Sequence, residues 1–346
     1  MTTGARGARG ARATDPVRDG LVDVSGATRL LVVGGRDRLR FLHAITTQDV
    51  QALEPGGGAY GAVTDDRGHP VGDFHLFVLP EAVLLEVSHP RAESLRAAIE
   101  RWIVADDVEL AWAAGVVESV ETGDPEWLAR AVSRPAEHLT DPVPGVSWSR
   151  DVGAEDLASI PLASGVVARR SQWGGYGACR VLAASEAESD ASDSAQRPLL
   201  DVLEIESGRA GDPELTEARI WTELGIEGAV SFTKGCYPGQ EILNRVRSRG
   251  GLKRRLVGLE LAEPARDRLA GAALEFADGR AAGVVTRARG THGLAFVERD
   301  AWEPGTLLVA RGPEGLRLEA HVASLPFVER RTDGQTPPPF VRAELV

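Results

Sequence analysis

The stretch Lys234-Gly235-Cys236-Tyr237-Pro238-Gly239-Gln240-Glu241 departs from the composition of its own chain. Among 39 basic residues only two are Lys, Lys234 and Lys253, and the one Asn is Asn244. A 346-residue chain that almost never uses Lys or Asn places all three within twenty residues, with Cys236, one of its two cysteines, beside them. Tyr237-Pro238-Gly239 reads as a tight turn, since Pro presets φ at the first central position and Gly accepts positive φ at the second. A helix is predicted to start at Glu241, with Ile242, Leu243 and Val246 on one face. Glu241 falls in its first turn, where the helix dipole favours a carboxylate. Cys236 then lies just ahead of a helix N-terminus and near Lys234 and Arg245. Such surroundings lower a thiol's pKa and make it a better nucleophile; the alternative is a buried Cys packing as a small apolar side chain.

Followed by Arg245 and the run Arg249-Gly250-Gly251-Leu252-Lys253-Arg254-Arg255, the KGCYPGQE sequence resembles the signature of the YgfZ family. These are folate-binding proteins related to the glycine cleavage T-protein (aminomethyltransferase) and linked to iron–sulfur cluster assembly or repair. The resemblance covers about residues 17 to 330. It implies an α+β, T-protein-like fold: two interleaved α+β subdomains around a central folate pocket, plus a C-terminal β-barrel. It implies tetrahydrofolate or a derivative as cofactor, and iron–sulfur proteins or their assembly factors as partners, with indirect support of tRNA modification. Cys236 would be the functional group and Lys234 its catalytic neighbour, with Arg245 adding positive charge. Gly235, Tyr237, Gly239, Gln240 and Glu241 complete the motif.

Working outward, the N-terminal half alternates short strands and helices. A strand over 29–33 leads to a helix with Asp37 as N-cap and Leu39, Leu42 and Ile45 on one face. FLHAITTQDV, residues 41–50, resembles the opening of the T-protein superfamily, with Gln48 where Asn is usual. His43 lies on the helix, and a lone helical His is more often packed than ligating. Three strands follow over 59–64, 71–79 and 82–87, with Asp65-Asp66-Arg67-Gly68 as the first turn. Tyr60 and Asp73 fall at opposite ends of this first hairpin. Their spacing, with Gly68 between, matches the folate-contacting hairpin of the T-protein, although Gly72-Asp73 stands where that family has two Asp. Residues 90–104 read as an amphipathic helix with Leu95, Ala98, Ile99, Trp102 and Ile103 inward. Strands near 108–113, 115–121, 164–170 and 177–183 and a helix at 125–132 suggest an antiparallel α+β layer. Residues 184–196 read as an acidic surface loop. A helix over 199–207 ends at Gly208, and its end, Leu203-Glu204-Ile205-Glu206-Ser207-Gly208, resembles the family's pterin-contacting segment. Glu206 matches the carboxylate that holds the pterin there, while Glu204 replaces the usual Arg. Without the resemblance, Asp73 is a strand carboxylate and Glu206 a surface helix residue.

Length and charge set the limits. At roughly 150 residues per domain the chain holds two or three domains. The reading divides it into a disordered tail (1–16), a folate-binding region (17–250), a barrel (251–330) of six short strands, and an extended tail (331–346). With 51 acidic residues the net charge is −12, unfavourable for generic nucleic-acid or membrane binding. Residues 234–255 oppose that charge: seven basic side chains against Glu241 alone. They suit an anion such as a folate glutamate tail or phosphate, or else pair with acidic segments of the same chain. Two cysteines without a CxxC predict neither a disulfide framework nor a stably bound metal. No apolar run spans a bilayer, and a cytoplasmic location is expected. Three functions remain: a folate-binding accessory factor rather than a stand-alone enzyme, a folate-dependent aminomethyltransferase, and, least favoured by charge, an RNA-binding module.

Overall fold

The computed structural model describes residues 21–23, 28–55, 58–113, 116–122, 167–170, 179–185, 197–206, 208–216, 218–225, 227–265, 269–327 and 340–342. The tail expected over 1–16, the helix expected at 125–132 and most of the acidic loop at 184–196 lie outside the described residues.

Strands β2 (Thr28–Gly34), β3 (Gly58–Thr64), β4 (Pro70–Val78), β5 (Val83–Ser88) and β6 (Glu109–Trp112) form one antiparallel sheet in the order β3-β4-β5-β2-β6. Asp65 fixes the β3–β4 turn by accepting hydrogen bonds from the backbone N–H groups of Arg67 and His69. Helices α1 (Arg38–Ile45) and α2 (Ala92–Glu100) lay Phe41, Leu42, Ile45, Leu95 and Ile99 against Leu31, Val33, Leu76, Val78 and Leu85. Helices this short are marginal alone. Each fully buried side chain contributes about 2 kcal/mol, so the shared core, not helix propensity, holds them. Two details differ from expectation. Asp37 precedes α1, but its carboxylate accepts the backbone N–H of Asp107 at 2.9 Å instead of capping its own helix. Trp102 is 49% exposed because α2 stops at Glu100 and the helical period no longer turns it inward.

A second antiparallel sheet contains β1 (Leu21–Asp23), β7 (Val116–Thr122), β8 (Val167–Arg170), β9 (Cys179–Ser185) and β15 (Phe340–Arg342), in the order β1-β7-β9-β8-β15. The chain enters this sheet, leaves to build the first, and returns, which interleaves the two α+β units. The stretch expected to be a loose tail over 331–346 therefore contains a strand: Phe340–Arg342 pair with Arg169–Val167.

Helices α3 (Arg197–Glu206) and α4 (Gln240–Arg249) lead into a closed barrel of β10 (Arg254–Ala265), β11 (Ala273–Glu275), β12 (Ala281–Glu298), β13 (Leu307–Arg311) and β14 (Arg317–Ala323). Gly208, at φ +69°, ends α3 as expected, with Arg209 N–H donating to the Glu204 carbonyl at 2.9 Å. Two of the six predicted strands, 283–287 and 294–298, are halves of β12. They face each other across Gly290 at φ +54°, and Thr286 Oγ1 donates to the Leu294 carbonyl at 3.1 Å.

Candidate functional site

The loop between Lys234 and Gly239 is pinned at both ends. Lys234 is buried, and its Nζ donates to the carbonyls of His43 and Thr46, the latter at 2.6 Å. These belong to the last turn of α1 and the residue after it, where unpaired carbonyls and the helix dipole favour a cation. The ammonium also lies 4.7 Å from the centre of the Tyr237 ring. At the other end Thr64 Oγ1 donates to the Pro238 carbonyl at 2.7 Å, and Gln240 N–H closes the turn on Tyr237 O at 3.2 Å. Gly239 has φ +79°, as the Pro-Gly turn predicts. The helix starts at Gln240, and Ile242, Leu243 and Val246 share its inward face, with Leu243 fully buried. Between these anchors Cys236 is exposed, which removes the reading of a packed core Cys.

Burial lowers the Lys234 pKa from 10.5 to about 8, against the opposing pull of Asp49 and Cys236. Burial raises Tyr237 to about 12. Between about pH 8 and 10 the unfolded chain holds a lysine proton that the folded chain has lost, so stability rises with pH there. Above about pH 10 the folded chain keeps a tyrosine proton that the unfolded chain loses, and the trend reverses. Urea unfolding of wild type should show the rise across pH 8 to 10. Lys234→Met, which leaves two buried carbonyls without their donor, should be less stable and lack that slope. An identical slope in both proteins would assign it to another group.

His43 joins this cluster, although nothing in its own sequence context marked it. Its Nδ1 lies 3.1 Å from Asp49 Oδ1, and its Nε2 lies near Gly235, whose missing Cβ would fall 3.7 Å away. Burial, then Lys234, lowers the His43 pKa against the pull of Asp49, so the imidazole is neutral at pH 7. The Thr46-Thr47-Gln48 segment clamps the neighbouring elements. Thr47 Oγ1 donates to the Ala229 carbonyl at 2.6 Å, and Gln48 Nε2 donates to Tyr60 O and Gly228 O at 2.8 and 3.0 Å.

The β3–β4 hairpin carries the second group of residues. Tyr60 pairs with His75 and Ala62 with Asp73. Tyr60 and Asp73 are thus diagonal neighbours on one face, not opposite ends, because a strand's side chains repeat every two residues. Tyr60 Oη donates to Asp73 Oδ2 at 2.6 Å. Burial pushes the Asp73 carboxyl up, opposed by the Tyr60 hydrogen bond, and Asp73 Oδ1 is buried with no hydrogen-bond partner among the described residues. Asp73 lines a cavity of about 100 Å³ with Glu86, Asp201, Glu204, Arg209 and Asp212. Hairpin and loop touch: Gly239 packs on Asp65 and Gly68, and Tyr60 and Tyr237 share a buried cluster with Trp221 and Leu243.

The remaining expected residues lie elsewhere. Glu206 is half-buried, with Oε1 3.4 Å from Nδ1 of His292 on the barrel, and is not among the residues lining the Asp73 cavity. Glu204 does line it, and pairs with Arg287 of β12, which also pairs with the fully buried Glu214 at 2.9 Å. Arg287 is the guanidinium that the sequence hid, since it lies 83 residues from Glu204. Arg245 pairs with Glu241 one turn away at 2.5 Å on the exposed face of α4. Gln240 Nε2 rests 3.4 Å from Gly235 O.

The C-terminal barrel has a counterpart among known domains: residues 253–325 match the CAF17 C-terminal β-barrel domain. A probable aminomethyltransferase from Natronomonas pharaonis is 31% identical over 347 aligned positions, spanning 91% of this chain and 89% of that protein. The chain belongs to the aminomethyltransferase superfamily. Within this superfamily, the glycine cleavage system aminomethyltransferase T from Bartonella henselae has a crystal structure with the same fold. Its TM-score is 0.67 at 21% identity, over 90% of this chain and 87% of that one. A more distant relative from Aspergillus oryzae, a mitochondrial homologue of the iron–sulfur cluster assembly factor IBA57, is 22% identical over 67% of this chain and 55% of its own length. Among the described residues no helix is long and apolar enough to cross a membrane.

Proposed function

We propose that this protein is a tetrahydrofolate-binding accessory factor for the assembly or repair of iron–sulfur proteins, with Cys236 as its reactive group. The observation that carries this reading is the exposed Cys236, held on a loop whose two ends are anchored to α1 and to the Tyr60–Asp73 hairpin. The IBA57 relative and the CAF17 barrel support the pathway.

The Asp73 cavity fits a pterin by chemistry. A pterin ring presents N–H and amino donors, and a carboxylate accepts two such bonds in parallel. Asp73 offers a buried oxygen with no other partner among the described residues, and Glu204 and Asp201 line the same space. Tyr60 orients Asp73, and Glu206, held by His292 outside the lining of this cavity, supports the site from α3. Tetrahydrofolate, when bound, supplies a ring nitrogen that carries a one-carbon unit. The partners are iron–sulfur proteins or their assembly factors in the cytoplasm, and neither a resident metal nor a nucleic acid is part of the proposal.

Folate binding is tested by tryptophan fluorescence titration with tetrahydrofolate. Loss of one charged hydrogen-bonding group is worth about 1.5–3 kcal/mol, so Asp73→Asn should weaken binding about tenfold or more. Glu206→Ala should have a smaller effect, because its carboxylate is engaged with His292. Equal affinity in wild type and Asp73→Asn would remove this cavity from the function. Aminomethyl transfer is the second reading, favoured by the 31% identity to a probable aminomethyltransferase. Gly72 in place of a second Asp argues against it. Tetrahydrofolate-dependent ammonia release from an aminomethyl-loaded lipoyl carrier would reverse the ranking.

A further inference from the structure

A second cavity, of about 860 Å³, opens between the residues just before the Cys236 loop, α4, and barrel strands β10 and β14. Its charge is the reverse of the Asp73 cavity. Arg247 and Arg255 line it, and among the described residues no Asp or Glu does, in a chain of net charge −12. Both guanidiniums are stacked on aromatic rings: Arg247 lies 4.1 Å from the Phe232 centre and Arg255 5.0 Å from Trp302. Stacking fixes the plane of a guanidinium and leaves its N–H edge for an oxyanion, although Arg255 already gives one Nη2 hydrogen to the Trp302 carbonyl at 2.8 Å.

Three buried donors on lining residues have no hydrogen-bond partner among the described residues: Trp221 Nε1, Thr222 Oγ1 and Arg255 Nε. Buried donors left unpaired cost about 1–3 kcal/mol each. All three atoms are sealed from solvent and lie behind the wall, so what the cavity itself offers an acceptor is Arg247 with the hydroxyl side chains of Ser231 and Thr233. The rest of the wall mixes apolar side chains, Phe232 and Leu256 among them, with the hydroxyls of Ser231, Thr233 and Ser324. The volume falls in the range of about 300–1,000 Å³ typical of small-molecule sites.

We propose that this cavity is a binding site for a small amphipathic oxyanion, an aromatic or aliphatic body carrying a carboxylate or phosphate. The site is independent of folate at Asp73. It is not isolated from it, because Trp221 lines this cavity while its ring centre lies 6.2 Å from that of Tyr60. Phe232 stands two residues before Lys234, so a ligand here also touches the segment that presents Cys236.

The full-length protein is titrated with 8-anilinonaphthalene-1-sulfonate, an aromatic sulfonate that reports by fluorescence. One molecule per chain should bind, and Arg247→Gln and Arg255→Gln should each weaken it about tenfold, the value of one charged hydrogen bond. Asp73→Asn should leave it unchanged, which separates this site from the folate reading. Displacement by phenyl phosphate would identify a free phosphate ester as the ligand chemistry, and displacement by a γ-linked triglutamate peptide a folate tail. Either supports the site. If Arg255→Gln fails to fold, Arg247→Gln, on the exposed side of α4, carries the test. Several weak dye sites that both Arg variants retain, or no displacement by either competitor, would overturn the proposal.

Discussion

Iron–sulfur enzyme activity in a strain lacking this gene should return with the wild-type protein and stay at the level of the empty vector with Cys236→Ala. The fold gives no reason for that variant to fail structurally. Cys236 is exposed and makes no core contact, and such substitutions change stability by about 0.5 kcal/mol or less. Its backbone is held from outside the residue, by Lys234 on the carbonyls of α1 and by Thr64 on Pro238. Loss of activity with an unchanged melting curve would therefore isolate the thiol. Restoration by both proteins would keep the pathway and reduce Cys236 to a bystander. Full activity without the gene would return the assignment to one-carbon transfer.

Gly239→Ala should be among the most destabilising single changes in the molecule. At φ +79° a side chain is strained by about 1–2 kcal/mol before any contact is counted. A Cβ there would also lie 2.4 Å from the Asp65 carbonyl oxygen and 2.9 Å from Gly68 Cα. Both are backbone atoms at the tip of the β3–β4 hairpin, and neither can swing aside like a side-chain end. Hairpin and loop must part, which separates the Tyr60–Asp73 pair from Cys236. Thermal unfolding should drop by several degrees, and tetrahydrofolate affinity should fall with it. Gly235→Ala is the matched control, since its Cβ would meet only His43 Nε2 at an ordinary 3.7 Å. Equal melting of Gly239→Ala and wild type would refute this account of the loop.

Local signals were legible where one element dictates its own geometry. The Pro238-Gly239 turn, the amphipathic face of α4, the β3–β4 turn and the Gly208 helix end all follow from a few adjacent residues. Pairing across the chain was not. Arg287 and Glu204 are 83 residues apart, Lys234 and His43 191, and no periodicity links either pair. Tyr60 and Asp73 were identified, but the hydrogen bond between them depends on strand register, which the turn and the buried face set together. Glu206 had the family's sequence neighbours, and in the fold it meets His292 while Glu204, two residues earlier, lines the Asp73 cavity, a difference set by packing against the barrel. The two halves of β12 looked like separate strands, and in space they face each other as strands do.

The second sheet carries a consequence for biosynthesis. Its two edges are β1, near the beginning of the chain, and β15, beyond the barrel. A ribosome that has finished the barrel has still not made residues 340–342, so β8 waits with an open hydrogen-bonding edge. Until then that edge is available to any strand that arrives, including one from a neighbouring nascent chain. Among the described residues the strand that covers β8 is the last to be made, and a bulky insertion next to it would act on that pairing rather than on the site.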